Sequence, residues 1–128
     1  MSPPRIDAVA VVTGGSYGVG REVVRVLAGR GYAIVVVYLD DQSSAEATVE
    51  EVFAAEGTAV SVRADVTDEL DVERLFDESI AAFGGVDTVV HTTTCSASVL
   101  QRHLGSGSAI VSVTTVDDIA PLISSLDR

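Results

Sequence analysis

The stretch AVAVVTGGSYGVG, Ala8 to Gly20, constrains this chain more than any other. Its first half is apolar on both faces, which suits a strand covered by helices on either side. Its second half places Gly14, Gly18 and Gly20 where that strand must give way to a helix. Gly14 permits a tight turn, and Gly18 and Gly20 leave no Cβ between backbone amides and a ligand. A helix N-terminus behind such a turn favours a phosphate group. The spacing is G-x3-G-x-G, with Val23 beyond it, so the G-x-G-x-x-G fingerprint is not met. Thr13 can tie the loop through its hydroxyl.

The rest of the chain repeats the same alternation. Ala8–Thr13 reads as a buried strand and Gly18–Arg30 as a helix, with Val19, Val23, Val26, Leu27 and Arg30 at helical spacing and Gly31 as its stop. Ala33–Leu39 is a second buried strand. A helix then opens on a capping box, Ser43 with Glu46, and ends at Gly57. Ala59–Ala64 alternates as a strand does. Thr67 or Asp68 opens a long helix with Val72, Leu75, Phe76, Ile80 and Phe83 on its apolar face and Gly84–Gly85 at its end. Asp87–His91 and Ser108–Val113 are further strands, joined by the short helical SASVLQRHL, and DDIAPLISSLDR reads as a last helix. Strands alternating with helices imply a three-layer α/β sandwich with a parallel sheet and right-handed crossovers. The 128 residues suit one domain, without linker or repeat.

Ligands on such sheets bind beyond the carboxyl ends of the strands. Asp40 and Asp41 follow the second strand, about twenty residues after Gly20, where a carboxylate accepts from ribose hydroxyls. Two carboxylates there repel a 2′-phosphate, and neither Tyr17 nor Leu39 supplies a cation, so NAD is favoured over NADP. Asp65 and Val66 end the third strand beside the expected adenine pocket, Asp65 as an acceptor and Val66 through its backbone. Asp68 reads as a helix cap.

Charge removes other classes of partner. The net charge is −11, and all eight basic residues are arginine, so nucleic acid and anionic membrane are excluded as expected ligands. Cys95 is the single cysteine and no leader or membrane span is read, which suggests a reducing, cytoplasmic setting. Cys95 reads as a loop or buried thiol. His91 and His103 lack a metal-ligand spacing, so no metal site is expected.

TGGSYGVG, AIVVVYLDD, RADVTDELDVERLFDESIAAFGGVDTVVH and SGSAIVSVTT, in this order, resemble the N-terminal half of a short-chain dehydrogenase/reductase over roughly Val9 to Thr115. The resemblance implies a five-stranded Rossmann-like sheet in the order 3-2-1-4-5, with a nicotinamide dinucleotide across its carboxyl edge. It gives cofactor-binding roles to Gly14, Ser16, Tyr17, Gly18, Val19, Gly20, Asp65 and Val66, to which Asp40 and Thr92 are added. The family's N-N-A-G stands here as His91-Thr92-Thr93-Thr94, and Thr115 falls at the catalytic serine as its remnant.

The family's Tyr-x-x-x-Lys pair is not found in these residues. Tyr17, Tyr32 and Tyr38 fall in the loop or around the second strand, and the chain has no lysine. A tyrosine with its usual pKa of about 10 needs a neighbouring cation to serve as a proton donor near neutrality. The expectation is a truncated, cofactor-binding oxidoreductase domain that is not competent alone. A non-catalytic NAD-binding sensor or accessory module, or a relic without ligand, stands as the alternative. The run SAIVSV carries no charge or proline to blunt pairing, so Ser108–Val113 is expected to support homo-oligomerisation.

Overall fold

The apolar runs become the strands of one parallel sheet. A computed structural model describes residues 8–14, 18–92, 98–103, 109–113 and 121, and in it β1 (Val9–Thr13), β2 (Ala33–Tyr38), β3 (Thr58–Arg63), β4 (Thr88–His91) and β5 (Ala109–Ser112) lie in the order β3-β2-β1-β4-β5. The expected fold and strand order are therefore observed. Every residue of β1 and β4 is buried, as are Ala33 to Val37 of β2, which is why these runs lack polar alternation.

Helices cover both faces. α1 (Gly18–Gly29) and α2 (Gln42–Ala54) pack on one side, where Val23, Val24, Leu27, Ala45 and Val52 meet Ala10, Val12, Ile34 and Val36. α3 (Glu69–Phe83) and α4 (Ser98–His103) pack on the other, where Val72, Leu75, Phe76 and Leu100 meet Val11, Val35, Val37 and Val89. Each fully buried Val or Leu contributes roughly 1.5–3 kcal/mol of transfer free energy, so the aliphatic core stabilises the domain with few aromatics.

Ion pairs clip the helices together within each layer. Glu51 of α2 receives Arg21 and Arg25 of α1, and Glu69 at the start of α3 receives Arg102 and His103 of α4. These arginines hold Glu51 and Glu69 below the usual carboxylate range.

Three local expectations are corrected. The cap of α2 is Asp41, not Ser43: its carboxylate accepts from Ser44 N at 3.0 Å and Ser44 Oγ at 2.7 Å. Starting the helix one residue after Asp41 lets an acidic oxygen meet the free amides of the first turn. Ile80 of α3 is 51% exposed, because the inward row runs through Val72, Leu75, Phe76 and Ser79 and position 80 lies at its edge. Arg30 lies past the end of α1 and is exposed, whereas Val24 is fully buried.

Other boundaries hold. Asp68 caps α3 by accepting from Leu70 N and Asp71 N, and Gly84 ends it at φ +89°. The expected final helix and Ser108 lie outside the described residues, apart from the isolated position 121. Among the described residues no helix is long and apolar enough to cross a membrane.

Candidate functional site

β1 and β4 are neighbours, yet their connections leave toward opposite faces: β1 leads into α1 on one side, and α4 follows β4 on the other. This divergence marks the carboxyl end of the strand pair as the topological switch point, the crevice at which open α/β sheets bind ligands. Gly14 leaves β1 with φ +70°, and α1 begins at Gly18 with φ +60°. A Cβ built on the exposed Gly18 would meet nothing within 4 Å. The first turn of α1 carries no acidic side chain, so its N-terminal partial positive charge is not neutralised from within the helix. Open space before an unneutralised helix N-terminus fits a pyrophosphate. Gly20 is buried and Val19 half-buried against the core, so these two seat the helix on the sheet. Ser16 and Tyr17 lie outside the described residues.

The floor of the crevice is polar and tied shut. Thr13 is 1% exposed and His91 4%, and they occupy paired positions in the β1–β4 ladder. Thr13 Oγ1 and His91 Nδ1 share a hydrogen bond of 2.8 Å. Thr92 N donates to the same Oγ1 at 3.2 Å, and the Thr92 hydroxyl donates to the Thr13 carbonyl. The backbone carbonyl of His91 accepts from Val113 N at 3.0 Å. The Thr13 hydroxyl lies within hydrogen-bonding distance of both the His91 ring and the Thr92 amide, from which it accepts. Thr13 thus ties the two strand ends, and Thr92 braces them. The pairing spans 78 residues of sequence, and no local spacing announces it.

The ends of β2 and β3 separate the acidic residues by role. The Asp41 carboxylate belongs to the α2 cap, and the Ser44 hydroxyl and then its amide hold it below the usual carboxylate range. Asp40, one residue earlier, is exposed at the end of the sheet and free of that cap. Asp65 Oδ1 accepts from Thr67 Oγ1 at 2.6 Å and Thr67 N at 2.9 Å, and its own amide donates to Asp71 Oδ2 at 2.9 Å. The Thr67 bonds, with the charge of Arg63 behind them, hold the Asp65 carboxyl below the usual carboxylate range. Val66 is buried beside it, packed into the α3 layer. The carboxyl edge from β3 to β4 therefore carries Asp65, Asp40, Gly14 and Thr92 in spatial order.

Thr115 and Cys95 fall outside the described residues. His103 is paired with Glu69 and its ring lies tilted at 6.3 Å from that of Phe76, so it serves the α3–α4 contact rather than this edge. Among the described residues no group of three or more His, Cys, Asp or Glu is placed to hold a metal.

Comparison with known proteins bears on the family and the fold. The family described as short chain dehydrogenase matches residues 8–116. An uncharacterized oxidoreductase of Methylorubrum extorquens is 29% identical over 84% of this chain and 54% of its own length. The short chain dehydrogenase claC of Passalora fulva is 39% identical over 69% of this chain and 33% of its own. The chain thus spans about half, or less, of these curated relatives. A dehydrogenase/reductase from Sinorhizobium meliloti 1021 superposes with a TM-score of 0.71 at 26% identity, over 94% of this chain and 64% of that one.

Proposed function

The chain belongs to the short-chain dehydrogenase family, and from that premise we propose that it is an oxidoreductase domain that binds a nicotinamide dinucleotide along the carboxyl edge of its sheet. The observation that carries the reading is the open Gly18 in front of an α1 first turn without acidic residues. The pyrophosphate rests on the turn formed by Gly14, Ser16, Tyr17, Gly18, Val19 and Gly20. Asp40 accepts from the adenosine ribose, and Asp65 and Val66 border the adenine. Asp41 is engaged in the helix cap, so the preference for NAD over NADP rests on Asp40 alone.

The dinucleotide supplies a hydride, and the protein must supply the proton. Among the described residues no group is fitted to that task. Tyr32 precedes β2, at the far edge of the sheet, and Tyr38 packs toward the α1–α2 layer. No lysine is present to lower the pKa of either. Thr115 retains a hydroxyl at the serine position without a tyrosine partner. The 128 residues by themselves bind the dinucleotide and do not turn over a carbonyl substrate.

Calorimetric titration with NADH and NADPH tests the reading. Saturable binding with NADH the tighter ligand is expected, and a carbonyl panel with NADH should leave absorbance at the nicotinamide band unchanged. No heat from either dinucleotide at millimolar concentration would refute the binding site. Turnover by the purified chain would refute the second half of the proposal.

β5 ends the sheet among the described residues, pairing there with β4 alone. Self-association through this edge is part of the same proposal, together with a cytoplasmic setting. A monomeric mass by light scattering at micromolar concentration would overturn the association.

A further inference from the structure

We propose that His91 is a positioning residue of the dinucleotide site, acting through the Thr13 hydroxyl to set the strand end from which the glycine turn departs. The inference rests on the binding function proposed above and goes beyond it, because His91 itself need not touch the ligand.

An imidazole is an unfavourable choice for this position unless its nitrogens are used. His91 is 4% exposed at the end of a strand whose preceding residues are Val89 and Val90, and an aliphatic side chain would fill the place without a desolvation penalty. One of those nitrogens, Nδ1, lies 2.8 Å from Thr13 Oγ1. Thr13 is the last residue before Gly14, where φ turns to +70°. Both polar ends of Thr13 are held from β4: its hydroxyl by His91 and the Thr92 amide, its carbonyl by the Thr92 hydroxyl. His91 is held in turn from β5, through the Val113 amide on its carbonyl. The strand end from which the turn departs is thereby tied to its neighbours, and a backbone that must meet a pyrophosphate needs its starting point fixed to within about half an ångström.

Without Nδ1 the Thr13 hydroxyl loses a partner and can rotate, and the Thr92 amide loses the alignment of its acceptor. The fold keeps its core, while the turn loses its fixed departure point. Asparagine carries an amide atom on Cγ where histidine carries Nδ1, so it can restore the bond. Leucine puts a methyl group there and cannot.

The experiment is calorimetric titration of the full chain and its variants with NADH. His91→Leu and Thr13→Val should each weaken binding about tenfold, and the double variant should be no weaker than the weaker single one, as coupled partners require. His91→Asn should bind within about twofold of the unaltered chain, a rescue that loss of packing volume would not give. NADH affinity unchanged in His91→Leu, or as weak in His91→Asn as in His91→Leu, overturns the proposal. If His91→Leu does not fold, Thr13→Val decides: unaltered affinity in that isosteric variant overturns it, and a tenfold loss beside a rescued His91→Asn supports it. If the unaltered chain binds no NADH, the binding function itself fails and this inference falls with it, a result distinct from failure of the variants alone.

Discussion

Two glycines make a matched test of where the ligand sits. Gly18 has φ +60° and Gly84 φ +89°, and a Cβ built on either meets nothing within 4 Å. Alanine at each position therefore suffers the same kind of penalty, the left-handed backbone, of about 1–2 kcal/mol. The unfolded chain also loses freedom on gaining a Cβ, which returns about 0.4–1 kcal/mol to the folded state. A net loss of about 1 kcal/mol remains for each, or roughly 4 °C in Tm for a domain of this size. Function separates them. Gly84 ends α3 at the opposite edge of the sheet, so Gly84→Ala should bind NADH as the unaltered chain does. At Gly18, the first residue of α1, the new methyl group meets no protein atom within 4 Å, and on the proposed reading it stands against the pyrophosphate. Gly18→Ala should therefore weaken NADH by more than about tenfold, as close backbone approach to a pyrophosphate demands. Calorimetry gives the affinities and thermal unfolding gives the stabilities. Equal affinities in the two variants, at matched stability, would refute the placement of the phosphates at this turn.

Leu75 is fully buried between α3 and the sheet, so Leu75→Ala should cost about 3 kcal/mol, read as a lower urea midpoint at unchanged m; a loss under 1 kcal/mol would contradict the packing. Glu51 is held below its ordinary range by Arg21 and then Arg25, so its stabilising effect is in place above the unfolded value of about 4.3 and fades as pH falls through the lower folded value. Glu51→Gln should therefore differ most from the unaltered chain near neutrality and converge with it in acid; a stability gap independent of pH would refute the clamp. Asp40→Arg should move the NADPH-to-NADH affinity ratio toward NADPH by about tenfold or more, since an arginine fork pairs with a 2′-phosphate. An unmoved ratio would remove Asp40 from the ribose site.

Much of the fold is legible because parallel strands buried on both faces need unbroken apolar runs, and AVAVVT, AIVVVY and TVVH supply them. Glycine at the ends of α1 and α3 marks where the chain must reverse. Detail is lost where two residues compete for one local role. Asp41 and Ser43 can each cap a helix, and in the fold it is Asp41 that meets the first-turn amide of Ser44. Ile80 reads as core by residue type, but Ser79 takes the inward position and satisfies its hydroxyl on the Leu75 carbonyl. The glycine turn is visible in the sequence because all its parts are contiguous. The Thr13–His91 tie is not, because it exists only once β1 and β4 are neighbours.

That tie has a reason in the geometry of the sheet. Backbone pairing between β1 and β4 reaches its last rung at Thr13 and His91. One residue further Gly14 has φ +70°, and the helices that follow the two strands, α1 and α4, lie on opposite faces, so the ladder ends at this rung. Strand ends that diverge lack the restraint that backbone bonds give everywhere else in the sheet. Here side chains extend the ladder by one rung: Thr92 N reaches Thr13 Oγ1, the Thr92 hydroxyl reaches the Thr13 carbonyl, and the ring of His91 closes the set from beneath. Polar residues in a position that a valine would fill more cheaply follow from this. The crevice needs a floor that holds after the sheet has ended, and hydrogen bonds hold direction in a way that apolar contact does not. Weakening the floor should accordingly loosen the binding edge before it loosens the core.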